Sequence, residues 1–208
     1  MKLNKILIVA IVALIVVSLS GCICCCGLDG ATSKFKKSVR EINYPEKITA
    51  GGKTFTKKYS NEYIGESPVR NRIYQSLNKY GFDLGDTDID GLISLSGVTE
   101  AKSFNYQGPQ GSEEIRGFSA KTDSPLKATA SYEAGKQTAS QISDIGDGGS
   151  TGIGDSSNRY TVGMPDGSTL YVVACKYSNM IVYSQSYDSY AAAEAGARAA
   201  IDAIDAAA

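Results

Sequence analysis

The stretch RYTVGMPDGSTLYVVACKYSNMIVYSQSY, residues 159–187, decides the fold. β-branched and aromatic residues crowd TLYVVACK (169–176) and MIVYSQSY (180–187), the composition of half-buried strands. Pro165-Asp166-Gly167 and Tyr177-Ser178-Asn179 punctuate these runs, and Asp-Gly between two apolar runs is a hairpin signal. Three antiparallel strands are therefore predicted. The sequence DSYAAAEAGARAAIDAID (188–205) follows at once. Asp188 or Ser189 supplies an N-cap, and Tyr190, Ala193, Ala197, Ile201 and Ile204 recur at helical spacing. Alanine covers most of the remaining surface, so this helix can approach a sheet closely. Hairpins closed by an amphipathic helix predict an α+β fold, with an antiparallel sheet and helices packed on one face.

Upstream, Ser67 and Pro68 open a second helix, with Val69, Ile73, Leu77 and Tyr80 on one stripe and Gly81 as its stop. Residues 53–59, 92–95 and 101–107 read as strands. Residues 113–121 and 126–132 read as a hairpin around Thr122-Asp123-Ser124, and 133–142 as a weaker helix. Five glycines in 146–154 read as a loop. Residues 28–52 are mixed and polar, with Pro45 and Gly51-Gly52, and are predicted as a tether with one ordered piece at 35–42. The domain scheme is then 1–27 as signal peptide or anchor, 28–52 as tether and 53–208 as a single domain.

Composition excludes more than it assigns. The 208 residues include no histidine and no tryptophan. Ser-His-Asp and Cys-His catalysis, histidine-ligated metals and imidazole pH sensing are thereby ruled out. Cys175 is the one cysteine after residue 26, so the domain carries no internal disulfide and must be held by packing. Cys175 itself reads as a small buried hydrophobe. Net charge is −1, yet 28–80 holds 11 Lys and Arg against 5 Asp and Glu, while 81–208 holds 8 against 17. The basic part adjoins the N-terminal segment. Contact with anionic lipid or a wall polymer is one reading of it, and an ordinary solvated surface is the other. No nucleic-acid motif is present.

Residues 1–27 (MKLNKILIVAIVALIVVSLSGCICCCG) join a basic start to a long apolar run. That is the layout of an export signal. Leu19-Ser20-Gly21-Cys22 resembles the lipobox of bacterial-type lipoproteins, which implies cleavage before Cys22 and lipid on its thiol. The alternatives are simple secretion and an uncleaved membrane helix, since 6–26 is long enough to span a bilayer; the lipid anchor and the helix agree on topology. Either way the expected partner is membrane lipid, with the domain anchored at the cell membrane and facing outside. Cys24, Cys25 and Cys26 are candidates for further acylation or cross-links. Their spacing is too tight for a tetrahedral zinc site.

Asp86-Thr87-Asp88-Ile89-Asp90-Gly91-Leu92 resembles the start of an EF-hand calcium loop. The resemblance implies that Asp86, Asp88 and Asp90 supply carboxylates and Leu92 a carbonyl. Gly97 stands where that loop needs its bidentate glutamate. A weak calcium loop and a solvated acidic turn are the two readings, and no other cofactor is expected. Three S-x-x-K matches lack any accompanying S-D-N or K-T-G and carry no acylation chemistry. Tyr171, Tyr177, Tyr183, Tyr187 and Tyr190 cluster in the last hairpin and helix start. Tyr171, Tyr183 and Tyr187 are the candidates for a binding surface, against a role in packing.

The C-terminal part resembles small extracellular sensor-type domains of bacterial lipoproteins. The resemblance lies in Ile145-Gly146-Asp147, the strands at 171–175 and 181–183, and the helix from Tyr190. It implies a non-enzymatic envelope module. The expected function is a membrane-anchored extracellular lipoprotein that binds or senses without catalysis. The alternatives are a structural envelope protein, and a carboxylate- or metal-dependent enzyme acting on envelope glycans.

Overall fold

The computed structural model describes residues 33–79, 96–141, 145–164 and 166–208. Eight strands form one antiparallel sheet: β1 (Lys47–Ala50), β2 (Lys53–Ile64), β3 (Val98–Gln107), β4 (Glu114–Thr122), β5 (Ile145–Gly149), β6 (Ser156–Gly163), β7 (Thr169–Tyr177) and β8 (Met180–Ser186). Their spatial order is β1-β2-β3-β4-β8-β7-β6-β5. Three helices pack against it: α1 (Glu66–Lys79), α2 (Pro125–Ser140) and α3 (Tyr190–Ala207). The α+β class and the antiparallel sheet are as the sequence predicts.

The stretch 159–187 forms β6, β7 and β8 in a continuous meander, with Tyr177 paired to Met180 across a two-residue loop. Side chains alternate between faces along each strand. Val173, Cys175 and Val182 point into a core shared with the alanines of α3. Leu170, Val172, Ala174 and Tyr183 point into a smaller core shared with Tyr132 and Ala139 of α2. The helices therefore divide between the two faces, where one covered face was expected. The continuous apolar run of β7 is the sequence sign of a strand buried on both sides.

Helix α3 is set close to the sheet by what it lacks. A Cβ at Gly196 would collide with Ser184 Oγ and Ile115 Cγ2. Gly117 plays the matching part on β4, where a Cβ would collide with Phe104 and the Tyr183 carbonyl. Ser189 caps the helix, its hydroxyl accepting from Ala192 N at 3.2 Å. Contacts of α3 reach β7, β8 and β4 and also the edge strand β1. The sheet coils far enough to bring that edge back over the helix.

Helix α2 corrects one expectation. Residues 126–132 are helical rather than the second strand of a hairpin. Pro125 takes the first helical position, and Ser124 Oγ accepts from Lys127 N at 3.3 Å as the cap. The glycine-rich stretch after it is also more ordered than a loop. Ile145–Gly149 is the edge strand β5, paired to β6. An edge position tolerates glycine because only one side must be filled.

The largest correction concerns 28–52. From Ser33 onward this segment belongs to the domain. Phe35, Val39, Ile42, Tyr44, Ile48 and Ala50 are all buried in the main core. Asn179, itself 2% exposed, binds both backbone groups of Phe35: its Oδ1 accepts from Phe35 N (3.3 Å) and its Nδ2 donates to Phe35 O (2.9 Å). Lys34 N donates to Ser178 Oγ at 2.9 Å, and Ser178 N to Asp155 Oδ2 at 2.6 Å. These bonds hold Ser178 at φ 54°, an uncommon value for a residue with a Cβ. Further along, the Tyr44 hydroxyl bonds the Lys102 carbonyl at 2.9 Å and Ser119 Oγ at 3.0 Å. The buried apolar side chains outweigh the polar pattern between them, which lines the outer surface.

Candidate functional site

The groove beside α3 is built from two walls. One wall is the outer stripe of α3, where Ala195, Ala199, Ala203 and Ala206 follow at steps of four and three. Methyl side chains leave a trench along the helix. The other wall is Asn43, Pro45, Ile48 and Thr49, from the corrected segment and β1. Arg198 and Asp202 stand on the rim, both exposed and one turn apart. The volume is about 510 Å³ and the groove is open to solvent. An apolar floor with a few polar groups at its edge is the usual make-up of a small-ligand site of this size.

The groove holds together because its walls are fixed from behind. Ile48 on one wall and Ala199 and Ala203 on the other also pack into the main core. Lys57 Nζ donates to the Tyr44 carbonyl at 2.9 Å and pairs with Glu46 at 2.6 Å, which pins the outer wall. The pairing of Glu194 with Arg159 at 2.6 Å ties α3 to β6.

A second cluster lies at the sheet end away from the entry of the chain. Lys53 Nζ donates to Glu113 Oε1 at 2.7 Å and to Asp188 Oδ1 at 2.6 Å. It joins the start of β2, the β3–β4 turn and the residue before the α3 cap. The Asp188 and Glu113 carboxylates hold the Lys53 amine above the ordinary lysine pKa. Paired carboxylates that cleave glycosides face each other across the scissile bond. Here the ammonium of Lys53 lies between them, so this pair acts as a charge clamp.

The residues singled out from sequence fall into three groups. Cys22, Cys24, Cys25 and Cys26 lie outside the described residues, as do Asp86, Asp88, Asp90 and Leu92. Among the described residues no group of three or more Cys, Asp or Glu is placed to hold a metal ion. No helix among them is long and apolar enough to cross a membrane. The three tyrosines are placed apart. Tyr171 lies edge-on to Tyr190 at 5.0 Å on the α3 side, with Arg159 over the Tyr190 ring at 5.7 Å. Tyr183 is buried on the other face, stacked on Phe118 at 5.5 Å. Tyr187 is exposed at the turn into α3. They do not form one surface.

Cys175 is fully buried in mid-strand, and burial pushes its thiol up to about 12. A thiol so held is not a nucleophile. Two features escaped sequence reasoning. The alanine stripe of α3 was legible, but its partner wall lay in a stretch read as tether. Lys53, Glu113 and Asp188 are separated by 60 and 135 positions, and no local pattern links them.

No protein-family model matches this chain, and neither does any curated protein. Among solved structures it is similar to the extracellular domain of PknH from Mycobacterium tuberculosis, at 11% identity and a TM-score of 0.47. The likeness spans 73% of this chain and 85% of that one.

Proposed function

We propose that this protein is a membrane-anchored, outward-facing module of the cell envelope that binds or senses a small ligand without chemistry of its own. The observation that carries the binding role is the groove along α3, with its alanine floor and its Arg198 and Asp202 rim. The residue inventory agrees, since histidine is absent and the one described thiol is buried. The described carboxylate pair Glu113 and Asp188 is bridged by Lys53. The anchoring role rests on the lipobox-like Leu19-Ser20-Gly21-Cys22 and the apolar run before it.

Two measurements test this reading. Ligand-detected NMR of the purified chain against amino acids, short peptides, sugars and sugar phosphates should find a class of binder that an Ala195→Trp variant no longer binds. Ala195 is half-buried on the groove wall, so the indole fills the trench without entering the core. Binding that survives this substitution removes the groove from the proposal. Intact mass of membrane-extracted protein should begin at a lipidated Cys22. A mass that includes residues 1–21 excludes the lipid anchor in favour of a retained helix.

A further inference from the structure

The folding of residues 33–50 into the core changes what the basic N-terminal region does. Residues 33–40 (SKFKKSVR) contain four cations and no acid. They run across the sheet end formed by the β7–β8 turn and the start of β3, where Glu100 Oε2 accepts from Val39 N at 2.7 Å. Most cations at this end are neutralised. Lys34 and Lys176 flank Asp155 at 3.9 and 3.5 Å, Lys127 pairs with Asp123 at 2.5 Å, and Arg40 with Glu62 at 3.7 Å.

Lys36, Lys37 and Lys121 differ. Lys36 and Lys37 are exposed. Lys121 reaches up from β4 and donates to the carbonyls of Lys37 and Lys36, at 2.7 and 3.3 Å, with its ammonium 5.7 Å from the Phe35 ring centroid. Its ammonium is thus fixed at the backbone of Lys36 and Lys37, satisfied by carbonyls rather than carboxylates. Of the acids nearby, Glu100 is engaged with Ser38 and Val39 and Asp205 with the Tyr177 hydroxyl, while Glu41 is exposed on the 3-10 turn that follows. The result is three lysines at one corner of the domain without a carboxylate partner among the described residues.

The position of this cluster names its partner. Eight steps of chain lead from Cys26 to Lys34, a reach of at most about 28 Å even when fully extended. A tether to residue 52 would have let the domain drift far from the bilayer; a link ending at Ser33 does not. We propose that Lys36, Lys37 and Lys121 form a docking surface for anionic phospholipid headgroups, which holds the domain with this sheet end against the membrane. The orientation rests on the anchored reading above, while the charge cluster stands on its own. It places the far end of the sheet, with Lys53, Glu113 and Asp188, outward.

The test uses the full chain. Flotation with phosphatidylcholine vesicles reads the anchor alone. Flotation with phosphatidylglycerol-containing vesicles, followed by amine labelling of individual lysines, reads the patch. Labelling of Lys36, Lys37 and Lys121 should fall about tenfold in the anionic vesicles relative to the neutral ones and recover at high salt. Lys136, near the other end of α2, should not change. Lys36→Gln with Lys37→Gln should reduce the anionic-lipid preference about 30-fold, at roughly fivefold per lysine. Equal labelling in both lipids overturns the docking surface and leaves the anchor intact. Flotation with anionic vesicles only, abolished by the double variant, supports the surface and overturns the anchor. Flotation with neither overturns both. Protection by a free polyphosphate chain but not by anionic vesicles overturns lipid as the partner in favour of a wall polymer.

Discussion

Asn179 and Lys53 do the same work at opposite ends of the sheet with different chemistry. At the entry end, Asn179 is buried, and its side-chain amide takes both backbone groups of Phe35 while its carbonyl accepts from Thr122 N at 2.9 Å. The bonds that Asn179 makes to Phe35 are neutral and buried. At the far end, Lys53 is partly exposed and gathers two carboxylates from distant turns. Neutral buried bonds are insensitive to salt and pH, and breaking one partner leaves the other unsatisfied. Exposed charge clamps are cheap to lose and are screened by salt. The entry end is therefore the structural joint of the molecule, and the far end is a light fastening on surface turns.

The strongest way to break this comparison is at Phe35. It is 1% exposed and sits in the main core, so Phe35→Ala should destabilise the protein by about 3–5 kcal/mol in a denaturant titration. A loss below about 1 kcal/mol would return 33–50 to the role of a tether. Next comes Asn179→Ala. It strips the partners from Phe35 N and O together, and a cost of about 2–4 kcal/mol follows, unchanged between low and high salt. A strong salt dependence would mean that the entry end is held by charge after all.

The smallest effect belongs to Lys53→Met, and its sign with pH is specific. The folded Lys53 has its pKa raised above the ordinary 10.5 by Asp188 and Glu113. Its contribution is fully present below the unfolded value and is lost as pH rises through the raised folded one. Thermal melts should show a constant, modest gap between wild type and variant across neutral pH. The gap should narrow with salt and, on the alkaline side, close only in strong alkali. A gap that closes near neutrality would contradict the clamp.

The parts of the fold that were legible are those with a period. β7 and β8 alternate or run apolar over their whole length, and α3 repeats alanine and isoleucine at helical spacing, so each element announces itself within a dozen residues. The entry segment has no period. Phe35 precedes a 3-10 turn at Val39–Glu41, Ile42 and Tyr44 lie in extended chain, and Ile48 is in a four-residue strand. Its apolar residues are as numerous as a strand would need, but their spacing matches the shape of the surface they cover rather than a helix or a strand. The groove followed the same division. Its α3 wall was readable as a small-residue stripe, whereas Pro45 and Ile48 join it only because the sheet coils. Helix α2 was half readable, since Ala128, Tyr132 and Ala139 share a face while Leu126 on the same helix is exposed.

From the residues alone came the exclusion of histidine-dependent chemistry and the hairpin-and-helix C-terminal half. These follow from residue types and short-range periodicity, which need no knowledge of what lies across the core. Only the packed fold settled that the helices divide between two faces, that residues 33–50 belong to the domain, and that Lys121 meets the backbone of Lys36 and Lys37 at one corner. Those outcomes depend on contacts between residues tens of positions apart, set by sheet order and coiling, and a linear pattern carries no record of them.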